Sequence, residues 1–120
     1  MSIEMTIRAL RPADRDQWQE LWRQYLAFYE TELPARIYDS TFHRLLGDDS
    51  RDFNGLVALS GDRLVGLTHF LFHRHAWKVE EVCYLQDLYA VPDLRGRGIG
   101  RKLIEAVYAR ADAAGAPSVY

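Results

Sequence analysis

A loop rich in glycine and arginine, DLRGRGIGRK at residues 93–102, has the clearest potential for chemistry in this sequence. It lies between a strand-like run and a helix-like run. The first N–H groups of a helix have no intrahelical partner, and the helix dipole adds partial positive charge there. Glycine lets the backbone approach a ligand without a Cβ, and arginine forks suit phosphate oxygens. The residues concerned are Arg95, Gly96, Arg97, Gly98, Ile99, Gly100, Arg101 and Lys102. The loop therefore predicts a site for a phosphate or a pyrophosphate.

Two common phosphate-binding loops do not fit this pattern. A Walker loop needs a Lys followed by Ser or Thr after its last glycine, whereas Gly100 is followed by Arg101 and Lys102. A dinucleotide fingerprint needs G-x-G-x-x-G, whereas this loop has G-x-G-x-G, and the predicted sheet around it is antiparallel. A generic anion-binding α/β domain that uses a nucleotide stays open as an alternative.

The other reactive residue types show weaker patterns. His73 and His75 lie two apart on an extended run, but two ligands are too few for a metal site, so we predict no metal there. His43 and His69 carry no pattern. Cys83 lies on an apolar run without an evident histidine partner, which is typical of a small core residue rather than a nucleophile.

Composition limits the class of protein. The chain has 120 residues, and its formal net charge of −2 gives no whole-domain basic footprint, so we predict no nucleic-acid partner. A single cysteine cannot form an internal disulfide, and no apolar run approaches membrane-spanning length. We therefore expect a protein of the cytoplasm with no membrane partner.

The first part of the chain predicts one strand and one helix. Alternation predicts a strand over residues 3–10, including Ile3. Apolar residues at helical spacing predict a helix over residues 14–30, with Asp14 and Gln17 as an N-cap pair. We assign its apolar face to the core: Trp18, Leu21, Trp22, Tyr25, Leu26 and Tyr29.

A shorter helix is predicted next. Pro34 interrupts the stretch ETELPARIYD, which we interpret as a loop. The second helix then begins after Asp39 or Ser40 and ends at Gly47, because glycine commonly terminates helices.

The remainder predicts a hairpin, a strand and a helix. Two β-rich runs, 53–59 and 63–72, flank a short SGD turn and predict an antiparallel hairpin. A long strand follows over 82–91, then a helix from Gly98 to the stop at Gly115.

The last residues, SVY, predict the beginning of another strand. The order is β-α-α-β-β-β-α-β, which predicts an α/β (α+β) fold with a mixed, mainly antiparallel central sheet flanked by helices. We expect residues 1–120 to be a single domain that is incomplete at its C-terminal side, within the fifth strand.

The spacing R-x-x-G-x-G, here Arg95, Gly98 and Gly100, follows a strand ending LYAVP. This resembles motif A of the GCN5-related N-acetyltransferase (GNAT) superfamily, and the order of elements is similar too. The resemblance implies that the loop binds the pyrophosphate of acetyl-CoA. It also implies direct transfer of the acetyl group to an amine, without a covalent enzyme intermediate.

Two segments resemble the polyamine and diamine acetyltransferase branch of that superfamily. YLQDLYAVPDLRGRGIG is similar to its motif-A segment, with Gln86 and Asp87 where a Glu-Asp pair is usual. LAFYETE is similar to the end of its first helix and implies substrate contacts for Tyr29 and Glu30. Trp77 has a counterpart there at slightly different spacing.

The resemblance also implies roles for individual residues. Asp87 is the expected proton acceptor or a substrate-orienting carboxylate, with Gln86 beside it. The backbone N–H groups of Leu88, Tyr89 and Ala90 hold the pantetheine arm, and one of them polarises the thioester carbonyl. Acidic residues around an acceptor cleft suit a cationic substrate; they are Glu30, Glu32, Asp39 and Asp87. The family's general acid, a tyrosine, is expected beyond Tyr120.

Two functions stay open at this point. The leading one is an acetyl-CoA-dependent N-acetyltransferase for a primary amine of a polyamine, a diamine or a lysine-like small molecule. The other is a truncated module that binds CoA without catalysis. The expected partner is a small-molecule amine, with a possible homodimer.

Overall fold

The protein was described from a computed structural model, which covers residues 4–120. The predicted first strand is present but shorter than residues 3–10, and its Ile3 lies outside the described residues. Half-buried Met5 and Ile7 pack against the core from this segment.

Within residues 4–120, four strands form one antiparallel sheet in the order β1-β2-β3-β4. Their bounds are Thr6–Ala9 for β1, Asn54–Ser60 for β2, Arg63–His73 for β3 and Val82–Ala90 for β4. The predicted hairpin is confirmed, because β2 pairs antiparallel with β3 from Asn54 opposite Phe70 to Ser60 opposite Arg63. The short SGD turn places Gly61 at a φ of 59°.

Three α-helices of the described part of the chain cover the sheet: α1 at Arg15–Phe28, α2 at Ala35–Leu45 and α3 at Ile99–Ala113. Helix α3 packs so closely on β3 that a Cβ at Gly66 would lie 2.6 Å from Ile99 Cγ2. His69, three positions further along β3, contacts Trp18 of α1 instead. Because successive strand residues point to opposite faces, α1 and α3 lie on opposite sides of the sheet. The predicted mixed α/β architecture is confirmed.

An aromatic cluster joins α1 to α2. The ring of Trp18 lies 5.0 Å from that of Phe42, and the ring of Trp22 lies 5.3 Å from that of Tyr38, measured between centroids. The core role predicted for the face of α1 is confirmed for Trp18 and Trp22, which are buried. It is wrong for Tyr29, which is 61% exposed at the end of the helix.

Asp14 is the N-cap residue of α1, as predicted, but the predicted pair with Gln17 does not form the capping hydrogen bonds. A 3₁₀ turn at Pro12–Asp14 precedes α1, and Asp14 makes no cap hydrogen bond to the helix. Its carboxylate instead accepts from both Arg8 nitrogens, at 2.8 and 3.0 Å, and from the Arg11 N–H. Gln17 turns to the hairpin, where its side chain accepts from the Leu64 N–H at 2.9 Å.

The predicted start of α2 is also wrong. The helix begins at Ala35, directly after Pro34, rather than after Asp39 or Ser40. Proline is compatible with a helix start, because the first N–H groups of a helix have no intrahelical acceptor in any case. The residues after Pro34 in the stretch ETELPARIYD, which were predicted as a loop, are therefore helical.

The last residues pair with β4, as the SVY pattern predicts. Val119 bridges Cys83 in parallel, and the Leu85 N–H donates to the Tyr120 carbonyl at 2.9 Å. The Tyr120 hydroxyl lies 2.6 Å from His73 Nε2. The order of elements is therefore the predicted one.

Candidate active site

The glycine-rich loop connects β4 to α3 through a 3₁₀ turn at Pro92–Leu94. Gly96 and Gly98 both have a φ of 83°, a left-handed conformation that disfavours residues with a Cβ. Helix α3 begins immediately afterwards, and the first N–H to bond back along it is that of Lys102, which donates to the Gly98 carbonyl at 3.0 Å. The preceding N–H groups, at residues 99–101, have no acceptor within the helix.

Open space surrounds this turn. A Cβ built at Gly96 or Gly98 meets no atom within 4 Å, so backbone conformation, not crowding, requires glycine there. Gly100 differs, since it lies in the first turn of α3 and a Cβ there would reach only Leu88 Cδ2 at 4.0 Å. Bare backbone and unpartnered donors together form a cradle that suits a phosphate group.

The basic side chains of the loop point in different directions. Arg95 is exposed and lines a cavity beside β4. Arg101 pairs with Glu105 along the helix at 3.1 Å, and Lys102 borders a separate cavity beside β1. Arg97 is partly buried. Of these basic residues, Arg95 is the one that lines the cavity formed with residues 88–90 of β4.

One edge of β4 is open. The strand pairs along its length with β3, whereas its other edge pairs only at Cys83 and Leu85 among the described residues. Residues 88–90 therefore meet no second strand within residues 4–120. They line a cavity of about 170 Å³, together with Tyr25, Phe28, Tyr29 and Arg95.

A β-bulge places Asp87 beside a second cavity. His69 pairs with Asp87 and the next β3 residue, Phe70, pairs with Leu85, so Gln86 is the extra residue. Bulges redirect side chains. Asp87 is buried and Gln86 exposed. The cavity, also about 170 Å³, is lined by Trp22, Thr41, Phe53, His69, Gln86 and Asp87. Because Leu88 lines the first cavity, the two cavities meet β4 at consecutive residues.

Sequence reasoning missed three residues that hold Asp87, two by direct hydrogen bonds and one through His69. His69 Nδ1 lies 2.8 Å from Asp87 Oδ2, and Trp18 Nε1 donates to His69 Nε2 at 3.0 Å. The Thr68 hydroxyl also donates to the Asp87 carbonyl at 2.8 Å. The available signal was the polar pair Thr68-His69 inside the apolar run RLVGLTHFLF, since buried polar groups need partners.

Tyr25, which lines the first cavity, and Cys83, in the core, have raised pKa values. Burial, followed by the negative charge of Asp87 and a hydrogen bond to it, raises the pKa of Tyr25, so its hydroxyl stays protonated at neutral pH. Burial also raises the pKa of the Cys83 thiol, which makes it a poor nucleophile and confirms the core interpretation. Trp22 Nε1 is buried without a hydrogen-bond partner among the described residues.

The predicted acceptor-side residues are not all brought together. Tyr29 lines the first cavity, and Glu30 follows it with a φ of 56° on an exposed turn. Glu32 is exposed. Asp39 pairs with Arg15 at 2.6 Å, on the outer side of α2, and lines neither cavity. Trp77 is 91% exposed in the β3–β4 connection.

Neither a metal cluster nor a membrane span occurs in the part of the chain that the structure describes. No three residues of the metal-ligating types His, Cys, Asp and Glu come close enough to hold an ion within residues 4–120. Over the same residues, no helix has the length and apolar character needed to cross a bilayer.

Comparisons with known proteins agree with this geometry. The sequence model of the acetyltransferase (GNAT) family matches residues 14–120. The D-amino-acid N-acetyltransferase HPA3 of Saccharomyces cerevisiae is 40% identical over 119 residues, covering 97% of this chain and 73% of that protein. The thialysine N-epsilon-acetyltransferase of Bos taurus is 40% identical over 47 residues, covering 39% of this chain and 27% of that protein.

A solved structure shows the same fold. The ribosomal-protein-alanine N-acetyltransferase from Brucella melitensis superposes with a TM-score of 0.79 at 20% identity, covering 97% of this chain and 77% of that one. With the family match over most of the sequence, this places the chain in the GNAT acetyltransferase family. It is an N-acetyltransferase, and its acetyl donor is acetyl-CoA.

Proposed function

We propose that this protein transfers the acetyl group of acetyl-CoA directly to a primary amine of a polyamine, a diamine or a lysine-like small molecule. One observation carries the proposal: the glycine cradle, the open edge of β4 and buried Asp87 follow one another along a single path of backbone. That path is long enough to bind an extended cosubstrate at one end and to present a carboxylate at the other.

The donor side uses mainly backbone groups. Bound acetyl-CoA supplies an activated acetyl thioester. The unpartnered N–H groups at the start of α3 bind the pyrophosphate, while Arg95 adds charge beside them. The open edge at residues 88–90 pairs with the pantetheine arm, and one N–H there polarises the thioester carbonyl. The proposed donor-binding set is Leu88, Tyr89, Ala90, Arg95, Gly96, Arg97, Gly98, Ile99, Gly100 and Arg101.

On the acceptor side, Asp87 is the proposed base. An alkyl amine has a pKa of about 10.4, so only roughly one molecule in a few thousand is neutral at pH 7. The Asp87 carboxylate accepts the amine proton, directly or through a water. The nitrogen lone pair forms the new C–N bond, the C–S bond breaks, and the sulfur leaves with the bonding electrons.

Charge and position favour an acceptor with a single nearby cation. The cavity at Asp87 contains one carboxylate, since Gln86 is neutral and Asp39 is paired elsewhere. Glu30 and Tyr29, at the end of α1, provide a second contact for a longer acceptor. A lysine-like amine or a diamine suits this small number of carboxylates better than a molecule that needs many of them.

A second acceptor class, the α-amine of a D-amino acid, has support of its own. The yeast relative carries that activity in its name and matches nearly the whole chain.

An acceptor screen tests these proposals. Release of free CoA thiol would be measured with spermidine, 1,3-diaminopropane, L-lysine, thialysine and a set of D-amino acids. The proposal expects turnover with a diamine or a lysine-like amine. Turnover with D-amino acids alone would show that the acceptor is the α-amine of a D-amino acid and would contradict the first proposal. Tight CoA binding with no thiol release from any amine would instead support the non-catalytic module.

A further inference from the structure

We propose that His69, itself held by Trp18, is a positioning residue that fixes Asp87 as a carboxylate with a defined orientation. The inference rests on the proposed role of Asp87 as the base. It concerns two residues, one on α1 and one on β3, for which the sequence pattern indicated no chemical role.

The polarity of the hydrogen bonds follows from the chemistry of indole. Trp18 Nε1 carries a hydrogen and has no acceptor capacity, so at 3.0 Å from His69 Nε2 it must donate. The lone pair of the imidazole is therefore on Nε2, and the ring proton of neutral His69 is on Nδ1. That proton lies toward Asp87 Oδ2, at 2.8 Å between heavy atoms. The chain of donors runs in one direction, from Trp18 through His69 to Asp87.

Burial makes this arrangement restrictive. Trp18 is 0% exposed, His69 4% and Asp87 9%. In such an environment an unpaired polar group is costly, so each partner constrains the next. His69 and Asp87 are also directly opposite each other in the β3–β4 ladder. The backbone of Asp87 is fixed by the Thr68 hydroxyl, which donates to its carbonyl.

The fixed tautomer assigns different tasks to the two residues. His69 Nδ1 already carries a proton, and its Nε2 lone pair is occupied by the Trp18 N–H. If His69 Nε2 were protonated, its N–H and the Trp18 N–H would face each other in a buried site, and neither would have an acceptor. His69 therefore does not take the proton of the amine. It ties Asp87 Oδ2, and the proton of the amine is taken up by the Asp87 carboxylate rather than by His69.

Two substitutions separate positioning from packing. Asn at position 69 places an amide N–H near the location of His Nδ1, whereas Gln places its amide near Nε2 and lacks the donor toward Asp87. We expect His69→Gln to lower kcat by about 10- to 100-fold, the effect of losing a hydrogen bond to a charged group. We expect His69→Asn to retain most of the wild-type kcat. The KM for acetyl-CoA should change little in either variant, and thermal unfolding would verify that both fold.

A spectroscopic measurement on the unaltered protein tests the tautomer independently of activity. The chain has four histidines, so ring ¹⁵N spectra of histidine-labelled protein are simple, and the His69→Asn variant assigns the His69 signals. The expected result is a protonated Nδ1 and an unprotonated Nε2. An Nε2–H tautomer, a doubly protonated ring, or equal loss of kcat in both variants would overturn the proposal.

The same experiments separate this inference from the proposed function. If Asp87→Asn keeps the wild-type kcat, Asp87 is not the base, and the positioning role falls with it. If His69 is nevertheless the Nδ1–H tautomer in that case, the hydrogen bonds are as inferred and only the role of Asp87 as the base is wrong. Loss of kcat in Asp87→Asn together with an Nε2–H tautomer would overturn the inference about His69 alone.

Discussion

At the scale of residues, the site depends on how Asp87 is surrounded. Three donors approach this one residue: the His69 ring and the Tyr25 hydroxyl at the carboxylate, and the Thr68 hydroxyl at the backbone carbonyl. These hydrogen bonds hold the carboxyl group of Asp87 in one position, which suits the proposed role.

Replacing Asp87 with Asn is the matched test of that role, because the two side chains have nearly the same size. General-base catalysis contributes about 10²- to 10⁴-fold, so we expect kcat for acetyl transfer to fall by that factor. Calorimetric titration should give an unchanged Kd for CoA, because the donor site uses other groups. A kcat within about twofold of wild type would show that Asp87 is not the base.

Sequence reasoning proposed roles for Asp87 and the glycine loop because both belong to one continuous motif. It did not identify His69 or Trp18, because their contacts with Asp87 depend on strand register and on how α1 lies against the sheet. His69 is 18 residues from Asp87 along the chain, and Trp18 is 51 residues from His69. Distances of that kind follow from tertiary packing, which a local pattern does not contain.

At the scale of elements, the junction between β4 and α3 is the proposed donor-binding site. Gly98 combines a left-handed φ with open space, so a side chain there would enter the cradle without clashing with the protein. The turn between β2 and β3 offers a matched control. Gly61 also has a left-handed φ and no neighbouring atom within 4 Å of a Cβ, but it lies in the hairpin.

We expect Gly98→Glu to weaken CoA binding by more than about 100-fold, because a carboxylate would face phosphate oxygens and like charges cost several kcal/mol. Calorimetric titration of CoA measures this. Gly98→Glu and Gly61→Glu should each lose about 1–2 kcal/mol of folding free energy from the left-handed φ. CoA affinity unchanged in Gly98→Glu, or equally reduced in both variants, would contradict the cradle.

The ion pair between Arg8 and Asp14 predicts how stability depends on pH. The hydrogen bonds from Arg8 hold the pKa of Asp14 below its ordinary value of 3.8. A group with a lowered folded pKa stabilises the native state above its unfolded pKa, and this contribution is lost as the pH falls through the folded value. Asp14→Asn should therefore cost about 2 kcal/mol at pH 7 and progressively less below about pH 4. Urea unfolding of both proteins between pH 2 and 7 checks this, and a constant difference would contradict it.

The elements themselves were largely predictable. Periodicity predicted α1, the hairpin, β4 and α3, because each has a strong apolar pattern bounded by glycine or proline. The start of α2 could not be predicted, because Pro34 is compatible with both a loop and a helix start. The ion pair of Asp14 could not be predicted either, because its partner Arg8 lies on another element.

At the scale of the whole molecule, α1 and α3 lie on opposite faces of the sheet while β4 contributes to both cavities. In the proposed function, the donor path begins at α3 and follows the open edge of β4 toward the acceptor cavity, whose walls come from α1, α2, β3 and β4. Such a path would bring the two substrates together at the β4 bulge. The position of bound CoA is therefore the most direct test of the proposed donor path.

That position can be measured by amide chemical-shift mapping during titration with CoA. The account predicts that the largest shifts form one contiguous track, comprising the N–H groups of residues 88–90 and those of residues 98–101. Amides of β1 and of the β2–β3 turn should be nearly unaffected. Shifts centred on any other surface, with those two groups of amides unchanged, would contradict the account.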